Sequence, residues 1–256
     1  FIIIELTGNL HFEGMMLFFL VGSLYYLKIQ KWLLSGVFMA LSISLKLIPL
    51  IFLPIVLVHF WKQGVQGRMN GLKYFVSLGL VIILSFLPFI NQEVITHFLN
   101  TTALWFQTFE FNASIYYIVR YIGYQTIGWN IIESAGKALA LSIFLIVVSF
   151  ALFRKNQKYP VLLISMLTAI SLYYLLSTTV HPWYIALPLL IGILSGYRFP
   201  IVWSALVFLS YSAYGLDSVD ENLWLVAIEY LLLLAFLVWE LSQKQSKSRT
   251  PRPNQR

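Results

Sequence analysis

The stretch Trp32-Leu-Leu-Ser-Gly-Val-Phe-Met-Ala-Leu-Ser-Ile-Ser-Leu-Lys46-Leu-Ile-Pro49-Leu-Ile-Phe-Leu-Pro54-Ile-Val-Leu-Val-His-Phe-Trp61 is apolar almost throughout, yet carries a lysine at its middle. Lys28 and Lys31 precede it, and Lys62, Arg68 and Lys73 follow. A membrane-spanning helix needs about 20 apolar residues, so the stretch is too long for one crossing and too short for two full ones. Basic clusters on both flanks place both ends on the cytoplasmic side by the positive-inside rule. The chain must therefore enter the membrane and return, with Lys46 near the turn. Each arm would reach only about 21 Å at the helical rise, which predicts two short helices meeting within or near the outer leaflet. Such a break is tolerated only where protein or a water-filled cavity surrounds it.

The rest of the chain fits this frame. Of 256 residues, 59% are hydrophobic and 11% charged, with a mean hydropathy of +0.80. A soluble domain is about half apolar and a quarter charged. Uncharged windows mark further spans at Gly14 to Leu27, Tyr74 to Gln92, Ala138 to Phe153, Phe199 to Leu216 and Asn222 to Leu241. Tyr159 to Tyr197 is long enough for two crossings, broken near His181-Pro182. The expected fold is all-α: a polytopic transmembrane helix bundle of about eight membrane segments, including the short broken hairpin. Residues 1–241 form its core, and the Lys-, Arg-, Ser- and Pro-rich residues 242–256 a disordered cytoplasmic tail that touches anionic headgroups. Phe1 in place of a methionine, with no leader-like segment behind it, reads as the C-terminal part of a longer protein.

The net charge of +7 suggests nucleic acid until the charges are placed along the chain. Of the 17 Lys and Arg, only Lys46, Arg120 and Lys137 fall outside the proposed cytoplasmic segments, whereas most acids, from Glu5 to Glu221 and including Asp217, fall on the outer side. Topology accounts for the charge, and no nucleic-acid partner is expected; nor is there a P-loop or a GxGxxG turn for a nucleotide. Zero cysteines exclude disulfide frameworks, thiolate metal sites and thiol nucleophiles.

That topology gathers four polar features on the outer face. Glu5-Leu-Thr-Gly-Asn-Leu-His11-Phe-Glu13-Gly14 opens the first span, and Lys46 sits at the hairpin turn. The outer segment 91–137 holds Trp105, Asn112, Ser114, Tyr116, Tyr117 and Arg120, and Ser177-Thr-Thr-Val-His181-Pro182-Trp183-Tyr184 marks the last break. Each has a plain reading: carboxylates suit a helix start and aromatics an interfacial belt. Lys46 is harder to dismiss, because an ammonium at membrane depth costs on the order of 3 kcal/mol unless something negative pairs with it. Together the set suits an amphiphilic ligand with a phosphate at the headgroup. Lys46, Arg120 and His181 would hold the phosphate, a carboxylate would take a proton from an attacking hydroxyl, and Trp and Tyr faces would stack on a sugar. One histidine and two carboxylates near the first span leave room for a divalent cation without naming an ion, and no other cofactor is called for.

The motifs Glu5 to Gly14, Gly36 with Leu45-Lys46-Leu-Ile-Pro49 and Leu53-Pro54, Phe111-Asn-Ala-Ser-Ile-Tyr116 and Val180-His-Pro-Trp-Tyr184, in that order, resemble the bacterial integral-membrane mannosyltransferases of the GT-C glycosyltransferase superfamily. The resemblance implies a GT-C-like bundle in the bacterial cytoplasmic membrane, C-terminus inside and site facing outward. It implies an enzyme that moves a hexose, typically mannose, from a polyprenyl-phosphate carrier to a glycan or glycolipid acceptor. It carries over His11 with Glu5 and Glu13 as sugar or acceptor contacts, Lys46 as phosphate contact, Asn112 and Ser114 as outer-loop site residues, and His181, Trp183 and Tyr184 as donor-site lining. The superfamily's catalytic carboxylate sits in the first outer loop, expected upstream of Phe1, which leaves Glu5 and Glu13 only weak candidates for the base. A rival from another class, a transporter or flippase of lipid-linked sugars, would use the same membrane-depth lysine and broken helices but needs a polar path through the inner half, where Glu229 is the candidate.

Overall fold

The computed structural model describes residues 1–215 and 220–249. Among these the chain is helical, with no strand and one isolated bridge, between Phe111 and Thr179. A π-helical turn, Ile3–Gly8, leads into α1 (Glu13–Lys28). Then come α2 (Trp32–Leu45), α3 (Leu53–Trp61), α4 (Gly64–Phe86), α5 (Gln92–Thr108), α6 (Ile115–Thr126), α7 (Ile132–Phe153), α8 (Tyr159–Leu176), α9 (Ala186–Ser195), α10 (Phe199–Leu206) and α11 (Leu223–Arg249). Four segments are long and apolar enough to cross a membrane: Gly64–Phe89, Ile132–Phe153, Tyr159–Leu176 and Leu223–Ser246. Shorter apolar helical stretches lie at Trp32–Leu45, Ile48–Trp61, Pro182–Ser195 and Phe199–Ala213.

The lysine-bearing stretch folds as two short helices around a break. Lys46 leaves the helix in an extended conformation (φ −151°, ψ 138°), and Pro49, lacking an N–H, opens a 3-10 turn, Ile48–Phe52, before α3 begins. Trp32 and Phe60, near opposite ends of the segment, meet edge to face at 5.4 Å, so the chain does return to the level from which it entered. The first arm, α2, is held by small residues. Ser23 and Ser35 exchange hydrogen bonds with each other's carbonyls at 2.9 Å, and Ser42 donates to Met16 O. At Gly36 a Cβ would run into Tyr74 O and Ser77 Oγ. Small residues allow such close helix crossings where lipid supplies no hydrophobic drive between helices.

Some boundaries differ from the sequence reading. The fourth helix starts at Gly64 rather than near Tyr74, because the basic first turns at Arg68 and Lys73 are helical without being apolar. The last helix runs on to Arg249, past Ser242; residues 250–256 of the expected tail, and Asp217, lie outside the described residues. The outer segment is two helices, α5 and α6, the second pinned beside the 177–181 linker by Phe111 N–H to Thr178 O and Val180 N–H to Phe111 O. The side chain of Trp105 also lies outside the described residues.

Candidate active site

The break aims Lys46 back across the bundle at Glu13, in the first turn of α1, and the two form an ion pair. Glu13 is 1% exposed, while the Lys46 side chain keeps 28%. This is the negative partner that a lysine at membrane depth requires, and the N-terminus of α1 adds its own positive end to the carboxylate's surroundings. The second Glu13 oxygen, Oε2, is buried with no hydrogen-bond partner among the described residues. The Lys46 ammonium also lies 5.4 Å from the Tyr184 ring centre, within cation–π range.

Beside the pair runs a stack of rings. Trp183 is sandwiched between His11 (3.8 Å, 23°) and His181 (4.5 Å, 9°). His181 stacks in turn on Phe111 at 5.1 Å and meets Tyr184 edge-on at 5.3 Å. Burial, then the nearby Lys46 and His11, hold the His181 imidazole down to about 4 from its ordinary 6.5. His181 is therefore neutral at ordinary pH, and the positive charge beside it comes from Lys46.

The same stack continues to Glu5. Tyr214 contacts Phe111 at 5.5 Å and Tyr211 at 5.6 Å, and Tyr211 donates its hydroxyl to the fully buried Glu5 at 2.9 Å. Asn9 reaches both Glu5 and Tyr211. Glu5 and Glu13 are thus each held by a partner from a distant element.

A second polar cluster is built around Asn112, the residue after Phe111. Asn112 is fully buried, with φ +46°. Its backbone N–H goes to Glu221, its side-chain amide to Glu229 at 3.3 Å, and its carbonyl accepts from Tyr230 at 2.7 Å. Trp203 also donates to Glu229, at 3.2 Å. Ser114 donates to Leu175 O at the end of α8. Arg120 pairs with Glu110 and lies 4.3 Å from the Tyr117 ring centre; Tyr117 in turn donates to Glu221. Burial and the adjoining carboxylates push the Tyr116 and Tyr117 phenols upward, and burial raises the Glu221 carboxyl above its ordinary 4.5.

Of the residues singled out from sequence, the structure brings His11, Glu13, Lys46, His181, Trp183 and Tyr184 together and sets Glu5 at the end of the same stack. Asn112, Ser114 and Arg120 occupy the neighbouring cluster, where each already has protein partners. Sequence reasoning missed Tyr211, the partner of Glu5, and Glu221, the acceptor for Asn112 and Tyr117. No local pattern marks a tyrosine 206 residues away from its carboxylate. Among the described residues no three His, Cys, Asp or Glu side chains gather where they could hold a metal ion.

Two apolar cavities flank these clusters. One, of about 390 Å³, is lined by Leu47, the residue after Lys46, and by Ile51, Pro54, Phe144, Val147 and Tyr173, among others. The other, of about 450 Å³, adjoins Ser114 and Tyr117 and continues along Val226, Tyr230 and Leu234 of α11. Residues 11–182, about two thirds of the chain, match the model of glycosyltransferase family 87. No curated protein and no solved structure matches the chain.

Proposed function

Because the chain belongs to glycosyltransferase family 87, and its apolar helices make it an integral membrane protein of that family, we propose that it transfers a mannosyl group from a polyprenyl-phosphate carrier to a glycan or glycolipid acceptor. The observation that carries this reading is the meeting of Lys46, neutral His181 and the Trp183 ring, with an apolar cavity that begins at Leu47, the residue after Lys46. A lipid phosphate fits that arrangement. Its anionic oxygens face the Lys46 ammonium, its ester tail runs into the cavity lined by Leu47, Ile51 and Pro54, and its sugar lies beside Tyr184 and the edge of Trp183, whose faces are taken by His11 and His181. Mannose is the sugar implied by the resemblance to the GT-C mannosyltransferases.

The reaction is one displacement at the anomeric carbon. An acceptor hydroxyl oxygen forms the new glycosidic bond while the bond from that carbon to the phosphate oxygen breaks, its electron pair leaving on the phosphate. A carboxylate receives the hydroxyl proton. Lys46 stabilises the charge that grows on the departing phosphate, and His181, being neutral, supplies a hydrogen-bonding group rather than a second cation. Lys46 is not lost to its own ion pair, because an ammonium has three donors and Glu13 takes it through one oxygen. The distribution of basic residues supports an extracytoplasmic position for this end of the bundle, where lipid-linked sugars would meet their acceptors.

Membranes containing the protein, supplied with radiolabelled polyprenyl-phosphate mannose and a mixed acceptor lipid extract, test the reading. Wild type is expected to label an acceptor, and Lys46→Ala and His181→Ala at matched expression to lose about a hundredfold of that rate, the scale of removing one preorganised group from a developing charge. Absence of transfer by wild type would reject the donor. Transfer by both variants at the wild-type rate would reject the site.

A further inference from the structure

The end of the bundle away from Lys46 carries a cavity of another kind. It measures about 460 Å³ and is lined by Gly196, Arg198, Trp239, Glu240, Gln243 and Lys244. The chain turns there from α9 into α10, with Gly196 in the left-handed conformation (φ +72°) that ends α9. The Glu240 carboxylate, 4% exposed, accepts the backbone N–H groups of Arg198 and Phe199 at 2.8 and 2.9 Å. Its charge is thus spent on the positive end of α10.

The two cations of the cavity are in different states. Lys244 is fixed: its ammonium donates to Gly196 O at 2.7 Å and lies 3.3 Å from the Tyr197 ring centre. Arg198 is exposed, and among the described residues no hydrogen bond or ion pair engages its guanidinium. The cavity therefore presents one held ammonium and one uncommitted guanidinium, the group best shaped for two-pronged contact with a phosphate. Trp239, half exposed, stands at the edge of the cavity. Towards the middle of α11 come the exposed apolar side chains of Val238, Leu234 and Leu231, a surface for acyl chains next to a surface for an anion. Tryptophan is the residue that favours this headgroup level.

We propose that this cavity binds the headgroup of an anionic phospholipid, its phosphate between Arg198 and Lys244 and its chains along the lipid-facing side of α11. The location fits: the basic residues of the chain gather at this end, and anionic leaflets attract such segments. The bound lipid would tie the α9–α10 corner to the last helix. The site is separate from the Lys46 cluster, and the proposal does not rest on the transferase reading.

The test uses the whole purified protein in nanodiscs of phosphatidylcholine with or without phosphatidylglycerol, reading retained lipid by native mass spectrometry and the thermal midpoint in parallel. Wild type should retain phosphatidylglycerol in preference and melt higher in its presence. Arg198→Gln and Lys244→Gln should each lower that preference about fivefold, the effect of one basic residue at an anionic surface. Lys155→Gln and Lys158→Gln, exposed basic positions outside the cavity, should leave it unchanged. Should a Gln variant fail to fold, Arg198→Lys, which keeps the charge and loses the fork, is expected to fold and retain part of the preference. Three results would overturn the proposal: cavity variants that keep the full preference, control variants that lose as much as the cavity variants, or displacement of the lipid by soluble glycerol 3-phosphate, which would make the ligand a free phosphate ester.

Discussion

Two polar clusters meet where the Phe111 ring joins the stack beside Lys46 and the next residue, Asn112, joins the other cluster, and their cations are used differently. Around Lys46 the charge is incompletely used: Lys46 stays partly exposed and gives Glu13 one of its three donors. Around Asn112 the charged groups are paired, although Asn112 Oδ1 and Glu229 Oε2 are buried without a hydrogen-bond partner among the described residues. The Asn112 N–H, amide and carbonyl engage Glu221, Glu229 and Tyr230, and Arg120 is paired with Glu110. A cation with donors to spare is arranged to receive an anionic ligand, whereas a cation paired with its own carboxylate holds elements in place. Arg120 and Asn112, polar residues of the same general kind as Lys46 and His11, fall on the holding side because their partners come first.

The sharpest way to break this contrast is to separate charge from fold at Lys46. Glu13→Gln strips the buried anion from Lys46 and should cost about 3 kcal/mol of stability, at the low end for breaking a buried pair because Lys46 keeps some exposure. Adding Lys46→Met should restore most of that stability while leaving sugar transfer as low as in Lys46→Ala. Recovery of both stability and transfer in the double variant, read by thermal unfolding and the radiolabel assay, would make the pair purely structural.

A smaller effect is expected across the divide. Asn112→Ala removes the amide donor to the buried Glu229 and should lower stability by about 1–3 kcal/mol, the penalty of an unsatisfied buried polar group. The folded fraction should keep an unaltered KM for the lipid-linked donor. A raised KM at unchanged stability would move Asn112 to the receiving cluster.

The smallest signal is in pH, and it has opposite signs in the two clusters. His181 is depressed from 6.5 to about 4, so folding expels its proton; the stability it contributes is intact above 6.5 and is lost as pH falls towards 4. Glu221 is raised above 4.5, so folding retains its proton; its contribution is present below 4.5 and is lost as pH rises through its raised value. Glu110, Arg120 and Tyr117 surround Glu221 and belong to the same titration. Plots of melting temperature against pH should accordingly flatten below 6.5 in His181→Gln and above 4.5 in Glu221→Gln. Identical curves for both variants would erase the distinction.

Much of the helical architecture was legible because hydrophobicity and charge act locally. Uncharged windows located the apolar helices, and Lys46 with Pro49 located the break to within a turn. Boundaries slipped where polar residues continue a helix, as at Gly64 and beyond Ser242, since a helix needs intact backbone bonding rather than apolar side chains once it leaves lipid. The site was legible by residue type and less by arrangement. The sequence marked out Lys46, His11, His181 and Trp183, but treated Arg120 as their companion.

By itself, then, the sequence determined that this chain belongs in a bilayer, that it breaks at Lys46, and that a charge placed there must find an anion. These follow from transfer energies of side chains and the reach of a helical rise, which depend on a residue and its near neighbours. Only the tertiary structure decided that the anion is Glu13, that Trp183 lies between two histidines, that Tyr211 holds Glu5 and that Arg120 is spent on Glu110. Each is a choice between partners of similar chemistry, some far apart along the chain, and helix packing settles it by which side chains come within hydrogen-bond reach.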